Sequence, residues 1–295
     1  MWTARSRTLP LDKPLVMLIL NITPDSFSDG GKYFQNFNCS AISHQPSAIV
    51  FDIGGESTRP GFTPVSAEEE MRRVLPVVKM LRETHPDCWI SIDTHKAVVA
   101  QAALETGADI VNDVSGASDP DMLGVVRKYN AGYVLTHGWE EHLRLNGKWK
   151  MENEKCSTPP AILHSPFSIL HWVLEGLREM LGRILEAEVP ASNVVLDPGF
   201  GFGKKGMQNR ELLDALPEIC AAFEQPVLVG VSRKHFLAEM YGVEKTRDLA
   251  VLDALSERCA REAVEKGARI VRTHTYPGSP DPAGSGDPGY DTFSF

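Results

Sequence analysis

Short apolar runs recur along the chain, and each gives way to a polar residue or carries one at its end. They are Val16 to Leu20 before Asn21, Ala48 to Phe51 before Asp52, Trp89 to Ile92 before Asp93, and Asp109 to Val111 before Asn112. Four more follow: Tyr133 to Leu135 before Thr136, Val194 to Leu196 before Asp197, Val227 to Val231 before Ser232, and Ile270 to Val271 before Arg272. Near-continuous apolar character over so few residues predicts strands covered on both faces, as in a parallel sheet. Between most of them lie stretches with helical spacing: Ala67–Glu83, Lys96–Thr106, Asp119–Asn130, Phe167–Glu188, Asn209–Phe223 and Arg247–Lys266. The first has an acidic N-terminal turn, which the helix dipole favours. Eight strands alternating with helices predict a (β/α)8 TIM barrel of the α/β class, spanning residues 14–274. An open doubly wound sheet is the alternative, and it too would gather ligands at strand C-termini.

Three stretches break the alternation. Residues 32–47 have weak helix propensity, so the first helix is expected to be irregular. Gly138 to Pro166 is polar, contains Asn146-Gly147 and Pro159-Pro160, and reads as a long loop after strand five. Tyr276 to Phe295 is rich in Pro, Gly, Ser and Asp; it reads as a disordered tail standing where an eighth helix is missing.

The chain has 295 residues, 42% of them hydrophobic and 23% charged, enough for a barrel of ~250 residues. Its net charge of -9 and lack of a basic stretch argue against nucleic acid as a partner. No apolar run reaches the ~20 residues of a membrane span. The five cysteines are scattered, with no Cys-x-x-Cys, which suits reduced thiols in a cytoplasmic setting and no zinc knuckle. The first 14 residues carry Arg5 and Arg7 and no acid before Asp12, a short stretch for a mitochondrial presequence.

In a barrel, the C-terminal strand ends share one mouth. Here it would collect Asn21, Asp52, Asp93, Asn112, Asp197, Lys234, Arg272 and His274. One Asp or Asn after a strand is ordinarily a cap or turn former. Five such groups, matched by a Lys, an Arg and a His on later strands, point to a ligand. Carboxylates and amides suit the edge of a planar, nitrogen-rich heterocycle. The cations suit a diphosphate, and the Asn21 amide oxygen suits Mg2+, a hard cation that keeps several waters. Two polar loops, Asn21–Gly31 and Asp52–Gly61, follow the first two strands and read as covers for that ligand. The run Asp197-Pro198-Gly199-Phe200-Gly201-Phe202-Gly203-Lys204 superficially resembles a phosphate loop. It lacks the Gly-Lys-[Ser/Thr] ending, so it reads as a tight turn that brings backbone close to a flat ligand, with Phe202 stacking nearby.

Together, Asn21–Gly31, Asp52–Gly61, Ile92-Asp93-Thr94, Val111-Asn112-Asp113, Leu196–Lys204, Gly230–Lys234 and Val271–His274 resemble, in order, the blocks of the dihydropteroate synthases of folate biosynthesis. The resemblance implies a barrel that joins 4-aminobenzoate to 6-hydroxymethyl-7,8-dihydropterin diphosphate. It implies that Asp93, Asn112, Asp197 and Lys234 hold the pterin. It puts Asn21, Arg272 and His274 on the diphosphate and its Mg2+, Asn21 as metal ligand, and makes Asn21, Lys234, Arg272 and His274 the catalytic set. Phe27, Thr58, Arg59 and Pro60 would lie on mobile loops shaping the aminobenzoate pocket. His235 would face the aminobenzoate carboxylate from a helix start. The resemblance also implies a homodimer, and in fungi a place beside other folate-pathway domains.

This chain departs from the family at Thr136-His137-Gly138-Trp139, where a Met-His-Met-like segment is usual, and at Thr275, where an acid is usual. A non-catalytic pterin binder, or a methyltetrahydrofolate-dependent methyltransferase on the same barrel, are the competing readings.

Overall fold

The computed structural model describes residues 1–22, 49–56, 65–138 and 169–275. The irregular helix expected at 32–47, most of the loop expected from Gly138 to Pro166, and the tail expected at 276–295 lie outside these residues.

A two-stranded antiparallel hairpin, β1 (Trp2–Ala4) and β2 (Arg7–Leu9), precedes the main sheet. All eight expected strands then form: β3 (Leu15–Asn21), β4 (Ile49–Gly54), β5 (Trp89–Asp93), β6 (Ile110–Asp113), β7 (Gly132–Thr136), β8 (Val194–Asp197), β9 (Leu228–Gly230) and β10 (Ile270–Thr273). They are parallel and pair in the order β8-β7-β6-β5-β4-β3-β10-β9. A bridge between Leu196 and Val227 joins β8 to the start of β9. With the hydrogen bond from Leu196 N to Pro226 O at 2.9 Å, it closes the barrel.

The helices follow the predicted spacing: α1 (Ala67–Thr84), α2 (Ala97–Thr106), α3 (Met122–Tyr129), α4 (Ile169–Glu186), α5 (Met207–Asp214), α6 (Leu216–Ala222), α7 (Phe236–Met240) and α8 (Leu249–Glu265). Ser66 caps α1 by accepting from Glu69 N at 3.2 Å, ahead of Glu68, Glu69 and Glu70. The single helix expected over Asn209–Phe223 is two, α5 and α6, which meet at Ala215. Pro217 cannot supply the N–H that a continuous helix needs, but it suits the first turn of a new one. The short α7 has no counterpart in the periodicity.

Side chains alternate along each strand. Those facing out, among them Leu18, Phe51, Ile53, Ile90, Ile92, Leu135 and Leu196, pack with the helices. Those facing in begin with a dry layer: Met17, Val50, Trp89, Ile110, Val134, Val195, Leu228 and Ile270. The hairpin seals this layer from below, since Trp2, Ala4 and Leu9 join the same cluster. Trp2 is 1% exposed and donates through Nε1 to Asn193 O at 2.8 Å. Arg7 covers the Trp89 ring at 4.0 Å and pairs with the buried Asp109 at 3.5 Å. The core therefore reaches into residues that apolar patterning left outside the barrel, because three-residue strands carry too little alternation to register. Among the described residues, no helix is long and apolar enough to cross a membrane.

Trp2→Ala removes a fully buried aromatic and one buried hydrogen bond. It should lower unfolding stability by about 3–5 kcal/mol, read from urea denaturation; a loss within error would mean the hairpin is peripheral.

Candidate active site in the barrel mouth

One step up seven of the eight strands, the inward positions lose their large apolar side chains; on β3 the position above Met17 is Ile19. Above the dry layer stand Asp52, Ser91, Asn112, Thr136, Asp197, Gly230 and Arg272, two residues on from Val50, Trp89, Ile110, Val134, Val195, Leu228 and Ile270. Asn21, Gly54 and Asp93 form the rim above them. The switch is written into the sequence as apolar-x-polar at alternate positions, so the strands that build the core also deliver the polar groups.

Arg272 organises this layer. Its Nε donates to Asp52 Oδ2 at 2.6 Å, and its Nη2 donates to Asp93 Oδ2. Asn112 donates to the same Asp52 oxygen at 3.0 Å. Burial works against the guanidinium charge, but Asp52 and Asp93 overcome it and hold Arg272 above its ordinary pKa. Asp93 moves the other way. Burial, joined by repulsion from Asp52, Glu70 and Asp113, outweighs Arg272 and lifts Asp93 to about 7. Two carboxylates share one cation, and Asp93 is the one left under-compensated.

Four oxygens of this interior, Asp52 Oδ1, Asp93 Oδ1, Ser91 Oγ and Thr136 Oγ1, are buried without a hydrogen-bond partner among the described residues. Such groups are rare in folded proteins, because each costs desolvation with no return. Three of them, on Asp52, Ser91 and Thr136, share the layer above the dry core, and Asp93 stands on the rim above it.

Asp197 closes the other side. Its Oδ1 accepts from Gly199 N at 2.8 Å. Burial raises its pKa, against the opposing pull of Lys234 and the Gly199 N–H. Lys234 is half-buried, and its Nζ donates to Phe200 O and lies 4.4 Å from the centre of the Phe202 ring. Burial lowers its pKa to about 8, opposed by Asp197 and assisted by Arg272. Two of its three N–H donors have no acceptor among the described residues.

On the rim, Ser232 Oγ accepts from His274 N at 3.1 Å and lies 3.0 Å from His274 Nδ1. The His274 Nε2 atom is 3.5 Å from Asn21 Nδ2. Ser232 thus sets the His274 ring and directs its other nitrogen toward Asn21. The structure brings Asn21, Asp93, Asn112, Asp197, Phe202, Lys234, Arg272 and His274 to one mouth. His235 is exposed at the start of α7 and makes no side-chain capping bond. Phe27, Thr58, Arg59 and Pro60 lie outside the described residues. Beside the last three, Glu56 is held by Lys96, which also binds the buried Glu70 at 2.5 Å.

Sequence reasoning gave Asp52 no role beyond a place in the mouth, took Ser232 only as part of the Gly230–Lys234 block, set Thr136 where the family has an apolar pterin contact, and passed over Ser91. The signal for Asp52, Ser91 and Thr136 was the two-residue offset from a dry-layer side chain. Ser232 offers no such signal, since its role comes from a contact across 42 residues of chain. As for a metal, no group of three or more His, Cys, Asp or Glu that could hold an ion occurs among the described residues. Asn21 offers one neutral oxygen at the rim. That fits Mg2+ only if the substrate's oxygens and waters supply the remaining ligands.

Comparison with known proteins bears on this site. A family model described as "Pterin binding enzyme" matches residues 17–274. The dihydropteroate synthase of Streptococcus pyogenes serotype M6 is 38% identical over 270 residues, covering 88% of this chain and 89% of that protein. The Xanthomonas albilineans dihydropteroate synthase solved with 4-aminobenzoic acid is 34% identical, with a TM-score of 0.73 over 90% of this chain and 88% of the other. The same enzyme in complex with 7,8-dihydropteroate gives 32% identity and a TM-score of 0.71, over 91% and 90%.

Asp52→Asn would leave Arg272 to Asp93 alone and remove the repulsion between them. Asp93 should then titrate well below its present position near 7, as followed by carbon-13 NMR of labelled aspartates. An unchanged titration would contradict the shared-cation arrangement.

Proposed function

The chain belongs to the dihydropteroate synthases of the pterin-binding enzyme family, and we propose that its polar barrel layer carries out the condensation of 6-hydroxymethyl-7,8-dihydropterin diphosphate with 4-aminobenzoate. The products are 7,8-dihydropteroate and diphosphate. The observation that supports the assignment of roles is the set of unpartnered buried oxygens at the mouth end of the barrel. A pterin edge presents N–H groups that Asp93, Asp197 and Asp52 can accept, while Asn112 supplies both a donor and an acceptor. Phe202 borders the flat ring.

In the reaction, the aromatic amine attacks the pterin methylene carbon, the carbon–oxygen bond to diphosphate breaks, and the amine nitrogen loses a proton. A neutral aromatic amine needs no strong base. The barrier lies in charge separation, which fixed charges stabilise at little reorganisation cost. Arg272, His274 and the spare donors of Lys234 face the departing diphosphate. Asp93 and Asp197 offset positive charge gathering on the pterin methylene. Mg2+, held through Asn21 and the substrate, would neutralise diphosphate oxygens. Phe27, Thr58, Arg59, Pro60 and His235 are assigned to the aminobenzoate side, on the family resemblance alone. A cytoplasmic setting is supported by the free thiols Cys88, Cys220 and Cys259. The homodimer, and any association with other folate-pathway domains, rest on the resemblance.

Purified protein given both substrates and Mg2+ should release diphosphate only when aminobenzoate is present, and Lys234→Ala should cut kcat/KM by about 10²–10³-fold while far-UV circular dichroism stays unchanged. Stoichiometric pterin binding without release would favour the non-catalytic reading. Methyl transfer from methyltetrahydrofolate would favour the methyltransferase.

The pH profile supplies a second test. Pterin recognition needs Asp93 ionised, and diphosphate stabilisation needs Lys234 charged. The kcat/KM for the pterin should rise through about 7 and fall through about 8. In the activity that Lys234→Arg retains, the alkaline fall should vanish, because guanidinium does not titrate there; a persistent fall would assign that limb to another group.

A further inference from the structure

We propose that Lys204 is a positioning residue. Its buried ammonium clasps the turn from Asp197 to Lys204 onto His137 at the end of β7, and so holds Asp197 and Phe202 where the pterin must meet them. The proposal rests on the pterin reading of the site and adds a residue to it.

In a phosphate loop the lysine that follows the glycines reaches out to the anion. Lys204 does the opposite. It is 3% exposed. Its Nζ meets Gly199 O at 2.9 Å, Phe202 O at 3.2 Å, His137 O at 3.2 Å and His137 Nδ1 at 3.1 Å. The Trp172 ring of α4 lies beneath it, its centre 5.0 Å away. An ammonium has three protons and no lone pair. Four acceptors already surround this one, so nothing is left for a diphosphate oxygen. The two lysines near Asp197 therefore differ in kind: Lys234 retains free donors, whereas Lys204 is saturated by the fold.

Two contacts reach His137 from this turn, and they do not depend on each other. His137 N donates to Asp197 O at 2.8 Å, while its carbonyl and Nδ1 receive Lys204. The turn itself is drawn tight by Phe202 N donating to Gly199 O at 3.0 Å. Gly199 has a φ of +74°, and a Cβ placed there would sit 2.0 Å from His137 O. Only glycine allows the turn to lie this close to β7. Because Lys204 donates to Nδ1, that nitrogen is an acceptor, and His137 in its neutral form carries its proton on Nε2. Burial lowers the ammonium of Lys204 to about 7, opposed by Asp197 and reinforced by Lys234.

The experiment compares Lys204→Met and Lys204→Gln with the wild type, by calorimetric titration of pterin diphosphate, by steady-state kinetics in both substrates, and by hydrogen exchange at the turn. Met keeps the stem and removes all donors; Gln keeps an amide for the carbonyls. With the clasp gone, the pterin Kd and KM should rise by about 10- to 100-fold, more in Met than in Gln, while the KM for aminobenzoate holds. Exchange at Gly199 and Phe202 should quicken in both variants. In the wild type without ligand, those two amides should already be protected. Wild-type affinity in either folded variant overturns the proposal, and so does an equal rise in both KM values. Should neither variant fold, unprotected turn amides in the free wild type overturn it and protected ones support it. If the wild type itself binds no pterin diphosphate, the functional reading fails instead, and the exchange pattern still tests the clasp as structure.

Discussion

The barrel mouth depends on one guanidinium shared by two buried carboxylates. Arg272 projects from β10 across the interior to Asp52 on β4 and Asp93 on β5. Without it, two acids side by side in a dry chamber could not both ionise. With it, two carboxylates still share a single cation, and Asp52 Oδ1 and Asp93 Oδ1 lack partners. A site prepared in this way is costly when empty, because unpartnered buried acceptors lose hydration without return. The cost is recovered when a ligand supplies N–H groups at those positions. The same arrangement that keeps Asp93 poised near neutrality therefore biases the chamber toward a hydrogen-bond-donating ring.

That bias is affordable because the layer beneath is so ordinary. Eight aliphatic or aromatic side chains fill the lower barrel, and Trp2 with its hairpin seals them from below. The strands are thus fixed by apolar packing, not by the polar groups at their ends. Polar residues in the mouth can then be left partly unsatisfied, since apolar packing below them already fixes the strands. Their rigidity is inherited from the dry layer two residues away on the same strands.

How much of this was legible follows from where the information sits. The eight strands and the rim residues were readable, because parallel strands write continuous apolar runs and the mouth falls at their ends. The split at Ala215 was not recognised, although Pro217 marks it, because amphipathic spacing carries on across the break. The hairpin was missed because three residues per strand give no period. The polar set beyond the obvious acids was half-legible: Thr136 stood out only as a departure from the family's apolar contact, and Ser91 looks like filler until strand parity puts it inside. Ser232 and Lys204 were illegible in their roles. Each acts through a partner far along the chain, His274 in one case and His137 in the other, and no local pattern records such a contact.

The two lysines show why residue type alone misleads. Both lie near Asp197, and both are pulled below the ordinary lysine range by burial. What separates them is the count of acceptors around each ammonium. Four neighbours fully engage the donors of Lys204, so its charge is consumed in holding backbone carbonyls together. Lys234 has one backbone acceptor and an aromatic face among the described residues, so its charge is still available to an incoming anion. In a chamber that must hold an aromatic ring on one side and release diphosphate on the other, the saturated lysine fixes the wall and the unsaturated one meets the substrate.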